Sequence, residues 1–460
     1  MQPKQCIAII DSIKAYAKQN PTEAQVYEDW FQAVVNLRDA LPQDKRFDAY
    51  KYSGELRSVC AVMMGKMKTG EDVAKVYDII SRTYLFEAKD VFDSYCIYLE
   101  WNRAPEKKFY QPRRKVLKTV ANALQDLADD RLDLLAISLP PGCGKTAIAI
   151  FYLTWLAGKI PDEPMLTGSH SNSFVRGVYD ECLRIFDKDG EYLWNDVFPD
   201  VAVSNTNAKD CRIDLGKRKR FETLEFTSIG TGNAGLYRAS TLLYCDDLVS
   251  GIEVALSKPR LDKLWETYTT DLRQRKIGNK CKELHIATRW SVHDVIGRLE
   301  QNYGDSDRNR FIVMPAMDEK DESNFDYDYG VGYSTETLRK QREVMDEMSW
   351  KALYMNQPVE REGLLFPADE LRYFNGVLPD GEPDRKLMVM DIAWGGGDFT
   401  ACPIAYVYGD AVFIPDLVFN NGDKTVTRPE VVGKIIQHKI NVVRGEANNG
   451  GDEYCDVVDS

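Results

Sequence analysis

Features that would assign this chain to several common protein classes are scarce or missing. It contains 4 histidines, and its 10 cysteines lie singly along the chain without one Cys-x-x-Cys pair. Structural zinc sites are usually built from such pairs together with histidines, so a zinc cluster is not expected. We expect reduced thiols, as in cytosolic proteins.

Long apolar runs are lacking as well. No stretch reaches the roughly 18 apolar residues that span a bilayer, and the N-terminus lacks a basic segment followed by an apolar core. The formal net charge of −13 argues against a protein that coats nucleic acid, because such affinity comes from neutralised phosphates. It leaves room for a protein that touches nucleic acid through a small local patch. A soluble, cytoplasmic protein is the expectation.

Four regions of different character follow one another. Residues 1–104 have a helical pattern and no catalytic constellation, which indicates a docking or assembly module. In residues 105–317, short apolar strands alternate with helices, which predicts an α/β domain with a mainly parallel sheet. The acidic, Tyr- and Gly-rich start of residues 318–384 indicates a linker and connecting segment, and residues 385–460 begin a second α/β unit.

One helix of the first region is predicted in detail. A capping box at Thr22 and Gln25 would start it. Val26, Trp30 and Val34 then recur at spacings of four residues, which places them on one apolar face.

A glycine-containing loop lies between the apolar strand 132–139 and a helix that starts at Lys145. Glycines let backbone N–H groups converge on phosphate oxygens, and the helix N-terminus attracts negative charge. Lys145 would reach the β- and γ-phosphates of ATP, and Thr146 would ligate Mg²⁺. Leu139 departs from the general P-loop pattern, which has glycine there. The predicted nucleotide-binding residues are Pro141, Gly142, Cys143, Gly144, Lys145 and Thr146.

Two carboxylates, Asp246 and Asp247, end the apolar strand 241–245. In P-loop ATPases the first such acid holds the Mg²⁺ shell and the second orients or activates the attacking water. We assign these roles to Asp246 and Asp247 respectively. Paired acids at a strand end can also be a plain loop start.

Further candidates flank these two motifs. Thr288 ends the strand 284–287, where a polar side chain can sense the γ-phosphate; a simple strand terminus is the alternative. Arg238 closes a Gly-rich stretch and either senses phosphate or ends a flexible turn. Gln111 and Arg113 precede the P-loop strand and suit an adenine site, or an ordinary solvated helix start.

Several basic residues have no assigned partner in the sequence. Arg176 or Arg184 could serve as an arginine finger, although a solvated helix face explains both. Arg289 could contact phosphate or DNA, and the basic run 217–220 marks a hairpin tip that could touch the DNA backbone.

These motifs together resemble the large subunit of tailed-phage DNA-packaging terminases. The resemblance rests on Pro-Pro-Gly-Cys-Gly-Lys-Thr (140–146), on Asp246-Asp247 behind the stretch that ends at Arg238, and on Ala-Thr-Arg-Trp (287–290) followed by Asp294. It also rests on Trp-Lys-Ala-Leu-Tyr-Met-Asn-Gln-Pro (350–358), which leads into Glu-Gly-Leu-Leu-Phe (362–366). The Pro-Pro-Gly form of the loop is a known deviation in some packaging ATPases.

The resemblance implies an ATP-driven motor that moves double-stranded DNA into a procapsid. Its implied partners are the portal protein, the small terminase subunit and further copies of this chain in a ring, and its implied location is the host cytoplasm. It also implies a metal-dependent nuclease that cuts concatemeric DNA. It covers about residues 105–460 and leaves residues 1–104 unexplained.

The last region supplies the expected nuclease. Three antiparallel strands, a helix and a further strand would open a ribonuclease H-like fold. Such nucleases hold two Mg²⁺ or Mn²⁺ ions with carboxylates; Asp391 and Glu446 are the candidate ligands, and Asp398 is a weaker third. Only 14 residues follow Glu446, too few for the further strand and acid that the family has. We therefore expect an incomplete domain, which is either a truncated product or fragment or is completed by a separate chain, and a nuclease activity that is weak or absent.

Two other interpretations remain open. A helicase-like P-loop ATPase would need further helicase motifs after the strand 284–287, and we find none. An inactive, truncated prophage relic would not be expected to keep Lys145, Asp246 and Asp247.

Overall fold

The computed structural model describes residues 1–217, 219–230, 237–358, 372–393 and 399–445. The chain forms two compact units, Met1–Arg361 and Glu362–Ser460. Both combine helices with a β-sheet, which is the α/β class that the sequence predicts.

Helices make up much of the first unit. In chain order they are α1 (Pro3–Gln19), α2 (Ala24–Ala40), α3 (Phe47–Met64), α4 (Gly70–Ala88), α5 (Phe92–Leu99), α6 (Tyr110–Ala128), α7 (Lys145–Lys159), α8 (Asn172–Phe186), α9 (Trp194–Val197), α10 (Ile252–Ala255), α11 (Lys258–Thr267), α12 (Val295–Tyr303), α13 (Thr335–Val344) and α14 (Glu347–Leu353). Short 3₁₀ and π turns connect some of them.

The strands of the first unit form one sheet. They are β1 (Leu134–Ser138), β2 (Met165–Ser169), β3 (Val203–Asn207), β4 (Arg212–Leu215), β5 (Leu224–Ser228), β6 (Leu242–Asp246), β7 (Lys282–Ala287) and β8 (Asn309–Val313). Their order is β3-β4-β5-β2-β6-β7-β1-β8. Within the stretch β5-β2-β6-β7-β1-β8 of this order, all neighbouring strands are parallel. Strand β4 pairs antiparallel with both β3 and β5.

Helix α2 confirms one prediction and corrects another. Its predicted apolar face is buried at Val26, Trp30 and Val34. Its N-cap is Glu23, without a side-chain cap hydrogen bond, so the capping box at Thr22 and Gln25 is wrong. Gln25 accepts a hydrogen bond from the Lys75 ammonium at 2.6 Å instead, because a contact between two helices competes successfully with a local cap.

The first 104 residues share a hydrophobic core with the sheet and its helices. The Trp155 indole of α7 donates to the Ala88 carbonyl at 2.9 Å. The hydroxyls of Tyr95 and Thr154 lie 2.8 Å apart. Packing of this kind ties the helical region to the strand-and-helix region across residue 104.

The acidic segment 318–333, predicted as a linker, packs against the first unit. Phe325 is fully buried and Tyr327 nearly so, both in the main core. The Tyr333 N–H donates to the Phe325 carbonyl at 2.8 Å. Acidic composition therefore did not distinguish a linker from a surface segment held by two aromatic side chains.

The second unit has its own small core. Strands β9 (Arg385–Met390), β10 (Thr400–Tyr408), β11 (Ala411–Asn420) and β12 (Val442–Gly445), with helix α15 (Lys424–His438), form a sheet of order β11-β10-β9-β12. The first three strands are antiparallel, and β12 runs parallel to β9. This is the predicted opening of a ribonuclease H-like fold.

Two general expectations are answered for the described part of the chain. The cysteines there are buried and form no disulfides. A helix with the length and apolar character needed to cross a membrane was not found among its helices.

Candidate functional site

The glycine-containing loop joins β1 to α7, as the sequence predicts. Gly142 and Gly144 have φ angles of 73° and 88°, a conformation that residues with a β-carbon rarely adopt. The first turn of α7 follows at once, with the Ile148 N–H bonded to the Gly144 carbonyl at 3.1 Å. Backbone conformation and helix polarity therefore both suit an anion here.

Sheet order brings the separate motifs together. Strand β7 lies between β1 and β6, with Ser138 opposite Ala287 and Asp246 opposite Ile286. Because these three strands are parallel, their carboxyl ends share one edge of the sheet. The P-loop, the two aspartates and Thr288 follow those ends.

Three predicted catalytic side chains contact one another. The Lys145 ammonium lies 3.4 Å from Asp247 Oδ2 and donates to Thr288 Oγ1. The Thr288 N–H donates to Asp247 Oδ1 at 2.9 Å. Lys145 and Thr288 are buried, so the cluster combines a cation, a carboxylate and a hydroxyl in a largely water-excluded corner.

Asp246 lies at the end of β6 and is fully buried. Burial and the neighbouring Asp247 raise the pKa of Asp246, while the Tyr244 hydroxyl, Lys145 and Thr146 act in the opposite direction. The Tyr244 hydroxyl donates to Asp246 Oδ2, whereas Oδ1 has no hydrogen-bond partner.

A buried oxygen without a partner is costly unless something else satisfies it. Carboxylate and hydroxyl oxygens are the ligands that Mg²⁺ takes beside nucleotide phosphates. Asp246 Oδ1, with Thr146 near enough to influence its pKa, therefore fits a magnesium ion.

The side chains of Phe109, Arg113 and Tyr333 border the P-loop, and we call this group the collar. A β-carbon at Gly142 would lie 2.5 Å from the Tyr333 hydroxyl oxygen, and one at Gly144 would overlap the Phe109 ring. Arg113 lies over that ring, 5.1 Å from its centroid, and donates to the Val331 carbonyl at 2.7 Å. Burial lowers the pKa of Arg113.

Of the two adenine candidates, only Arg113 belongs to this collar. Gln111 is exposed on α6. Tyr333 was missed because its segment was interpreted as a linker; an aromatic-rich stretch in an acidic segment was the available signal.

Arg238, the fourth predicted catalytic residue, lies away from the cluster formed by Lys145, Asp247 and Thr288. Its guanidinium stacks on Phe221, 4.7 Å from the ring centroid, and its N–H donates to Glu225 at 3.1 Å. Phe221 precedes β5 and Arg238 precedes β6, so they lie where these strands begin, at the edge opposite the P-loop. Because β5 and β6 both run parallel to β2, the residues just before β6 lie at the edge opposite its carboxyl end, away from the phosphate loop.

Other basic candidates are engaged in local contacts. Arg289 pairs with buried Asp294 at 3.0 Å, which accounts for its charge without phosphate or DNA. Arg176 pairs with Asp180 at 3.4 Å and Arg184 with Glu181 at 3.1 Å. In the basic run, Lys219 pairs with Asp214 at 2.9 Å, and Arg218 lies outside the described residues.

In the second unit, Asp391 directly follows β9, is exposed, and bridges to Ala401 through its backbone. Gly445, the last residue of β12, is paired with Met390. Glu446 and Asp398 lie outside the described residues. Within the part of the chain that is described, no group of three or more metal-ligating side chains occurs.

Comparison with known proteins gave structural similarity only. No protein-family model and no curated protein matches the sequence. The large terminase of a thermophilic bacteriophage, solved in complex with ADP, is 13% identical with a TM-score of 0.34, covering 76% of this chain and 80% of that one. The HK97 bacteriophage large terminase is 14% identical with a TM-score of 0.35, covering 72% of this chain and 69% of that one. Solved structures of phage large terminases are thus similar to this chain.

Proposed function

We propose that this chain binds ATP with Mg²⁺ at the P-loop and hydrolyses it. The observation that carries the proposal is the convergence of Lys145, Asp247 and Thr288. Three separate chain segments supply these side chains, and they meet beside a loop whose backbone can bind phosphate.

Each residue has a distinct role in the proposed reaction. Backbone N–H groups around Gly142 and Gly144 bind phosphate oxygens, and Lys145 neutralises their charge. Asp247 orients the attacking water and accepts its proton. Thr146 and Asp246 would hold a magnesium ion, which would supply positive charge against the negative charge of the phosphate groups.

Thr288 is proposed to transmit changes at the bound phosphates to the rest of the first unit. It contacts both Lys145 and Asp247, and the next residue, Arg289, donates its N–H to Asn356 Oδ1 at 3.2 Å. Asn356 in turn donates to the Met314 carbonyl at 3.2 Å. A change at the phosphates therefore has a short contact path to residues 314–358.

The ATPase proposal is tested with purified full-length protein. Lys145→Ala should abolish phosphate release from ATP, and Asp247→Asn should lower kcat on the order of 10²-fold or more. Lys115→Ala, on the exposed side of α6, is the matched control and should keep wild-type activity. Equal rates for wild type and Lys145→Ala would refute the proposal.

We further propose that hydrolysis drives translocation of double-stranded DNA into a phage procapsid in the host cytoplasm. The proposed assembly is a ring of this chain on the portal, with the small terminase subunit as a partner. The motifs shared with large terminases support this, including the 350–358 segment, which has no phosphate chemistry of its own. Procapsids with portal should protect DNA from nuclease only when ATP and wild-type protein are present.

A metal-dependent nuclease is the second candidate activity. It is supported by the ribonuclease H-like strand order and by the position of Asp391 after the central strand β9. Plasmid relaxation that depends on Mg²⁺ or Mn²⁺ should be lost in Asp391→Asn. Cleavage that survives this substitution would remove Asp391 from the proposed site.

A further inference from the structure

Asp247 adopts a backbone conformation that is unfavourable for an aspartate. Its φ is 41°, in the left-handed region that residues with a β-carbon rarely adopt. Such a conformation persists only where surrounding contacts hold it.

Contacts on several sides hold Asp247. Its N–H donates to the Ile286 carbonyl at 2.9 Å, and its carboxylate contacts Thr288 and Lys145. Its carbonyl oxygen lies 2.7 Å from Nδ1 of His170. The first three partners come from β7, the residue after it and the P-loop, whereas His170 follows β2 on the other side of β6.

The tautomer of His170 follows from this contact. A carbonyl oxygen only accepts hydrogen bonds, so Nδ1 must carry the proton. The ring is also packed near Phe174 of α8, with centroids 5.8 Å apart. These contacts fix the plane of the imidazole and the direction of its N–H.

We propose that His170 is a positioning residue for the ATPase reaction: it fixes the Asp247–Leu248 peptide and thereby aims the Asp247 carboxylate. Without that donor, Asp247 relaxes toward a negative φ, and its carboxylate turns away from Lys145 and Thr288. His170 touches no phosphate in this arrangement and acts only through Asp247. The inference rests on the proposed ATPase function.

The decisive experiment compares two substitutions of His170 in the full-length protein. His170→Leu removes the donor and should lower kcat for ATP on the order of 10²-fold, the cost of misplacing a reacting group by about 1 Å. KM for ATP should stay near the wild-type value, because the P-loop is untouched. His170→Asn should recover part of the loss, because its amide nitrogen replaces Nδ1. Ser173→Ala, at an exposed position of α8, is the control and should keep wild-type kcat.

A second readout does not depend on catalysis. The chain has 4 histidines, so ¹⁵N-histidine spectra can be assigned by substitution, and His170 should carry its proton on Nδ1. An Nδ1 without a proton, wild-type kcat in His170→Leu, or an Asn variant as impaired as the Leu variant would each overturn the inference while leaving the ATPase proposal intact. A wild-type protein that hydrolyses no ATP would overturn both.

Discussion

At the residue scale, two adjacent carboxylates have different environments and hence different proposed roles. Asp246 is enclosed and bonded to Tyr244, which leaves one oxygen without a partner. Asp247 is partly exposed and bonded to Lys145 and to the Thr288 backbone. The positive φ of Asp247 separates the two side chains at the strand end.

Tyr244→Phe tests how Asp246 is held. Without the hydroxyl, Asp246 Oδ2 loses its donor and the carboxylate is free to rotate, so the Mg²⁺ concentration needed for half-maximal ATPase activity should rise on the order of 10-fold. Titration of activity with Mg²⁺ measures this. Tyr152→Phe, in an equally buried tyrosine of α7, should leave the Mg²⁺ requirement unchanged.

Gly142→Ala tests the P-loop backbone. The positive φ and the Tyr333 hydroxyl 2.5 Å from the added carbon should cost about 1–2 kcal/mol of stability and weaken nucleotide binding. Gly177→Ala, in open space on α8, should instead stabilise the protein by about 0.5–1 kcal/mol. Denaturant unfolding and fluorescent-nucleotide titration distinguish them; equal effects of the two substitutions would contradict this account.

At the element scale, strand β7 connects two groups of buried polar side chains. Its carboxyl end leads to Thr288, and near its start Glu283 is buried among Arg273, Lys276 and His285. Burial acts to raise the pKa of Glu283, but His285, Lys276 and Arg273 outweigh it and leave that pKa well below its usual range.

Glu283→Gln should therefore destabilise the first unit by about 3 kcal/mol at neutral pH, because removing one member of a buried ion cluster leaves the others uncompensated. A lowered carboxyl pKa gives stability that is complete above the unfolded value of about 4.3. That stability is lost as pH falls toward the folded value, so the variant should show a shallower stability loss below about pH 4. Urea unfolding at several pH values measures both effects. Glu266→Gln, exposed on α11, is the control; a variant as stable as this control would contradict the prediction.

At the scale of the whole molecule, the helical first region is part of one folded unit with the sheet. Glu100 illustrates the connection: its buried carboxylate accepts the N–H groups of Phe109 and Tyr110 at 2.8–2.9 Å. It thereby caps the start of α6, which carries Arg113 toward the P-loop.

Deletion of residues 1–104 should consequently leave the remaining chain insoluble or without fixed tertiary structure. It would expose Trp155 and the rest of a shared apolar surface, and it would uncap α6. A chain ending after Arg361 is the matched comparison and should keep a cooperative thermal transition. Near-UV circular dichroism and thermal melts decide between them; a well-folded protein lacking residues 1–104 would show that the region is a separable module.

The sequence alone determined the chemistry-bearing motifs and most of the element pattern. Glycine at positions 142 and 144, the acids after an apolar strand, and alternation of strands with helices reflect local backbone and burial requirements. A short stretch of residues is enough to show such requirements. The helix start at Lys145 and the strands that end at Asp246 and Ala287 were therefore predictable.

Only the tertiary structure decided which motifs meet. Strand order placed Thr288 between the P-loop and the aspartates and carried Arg238 to the opposite edge. It also brought His170 and Tyr333, neither of them predicted, against Asp247 and Gly142. The physical reason is that strand order depends on packing between segments that are distant in the sequence. A local sequence pattern does not show the energy of that packing.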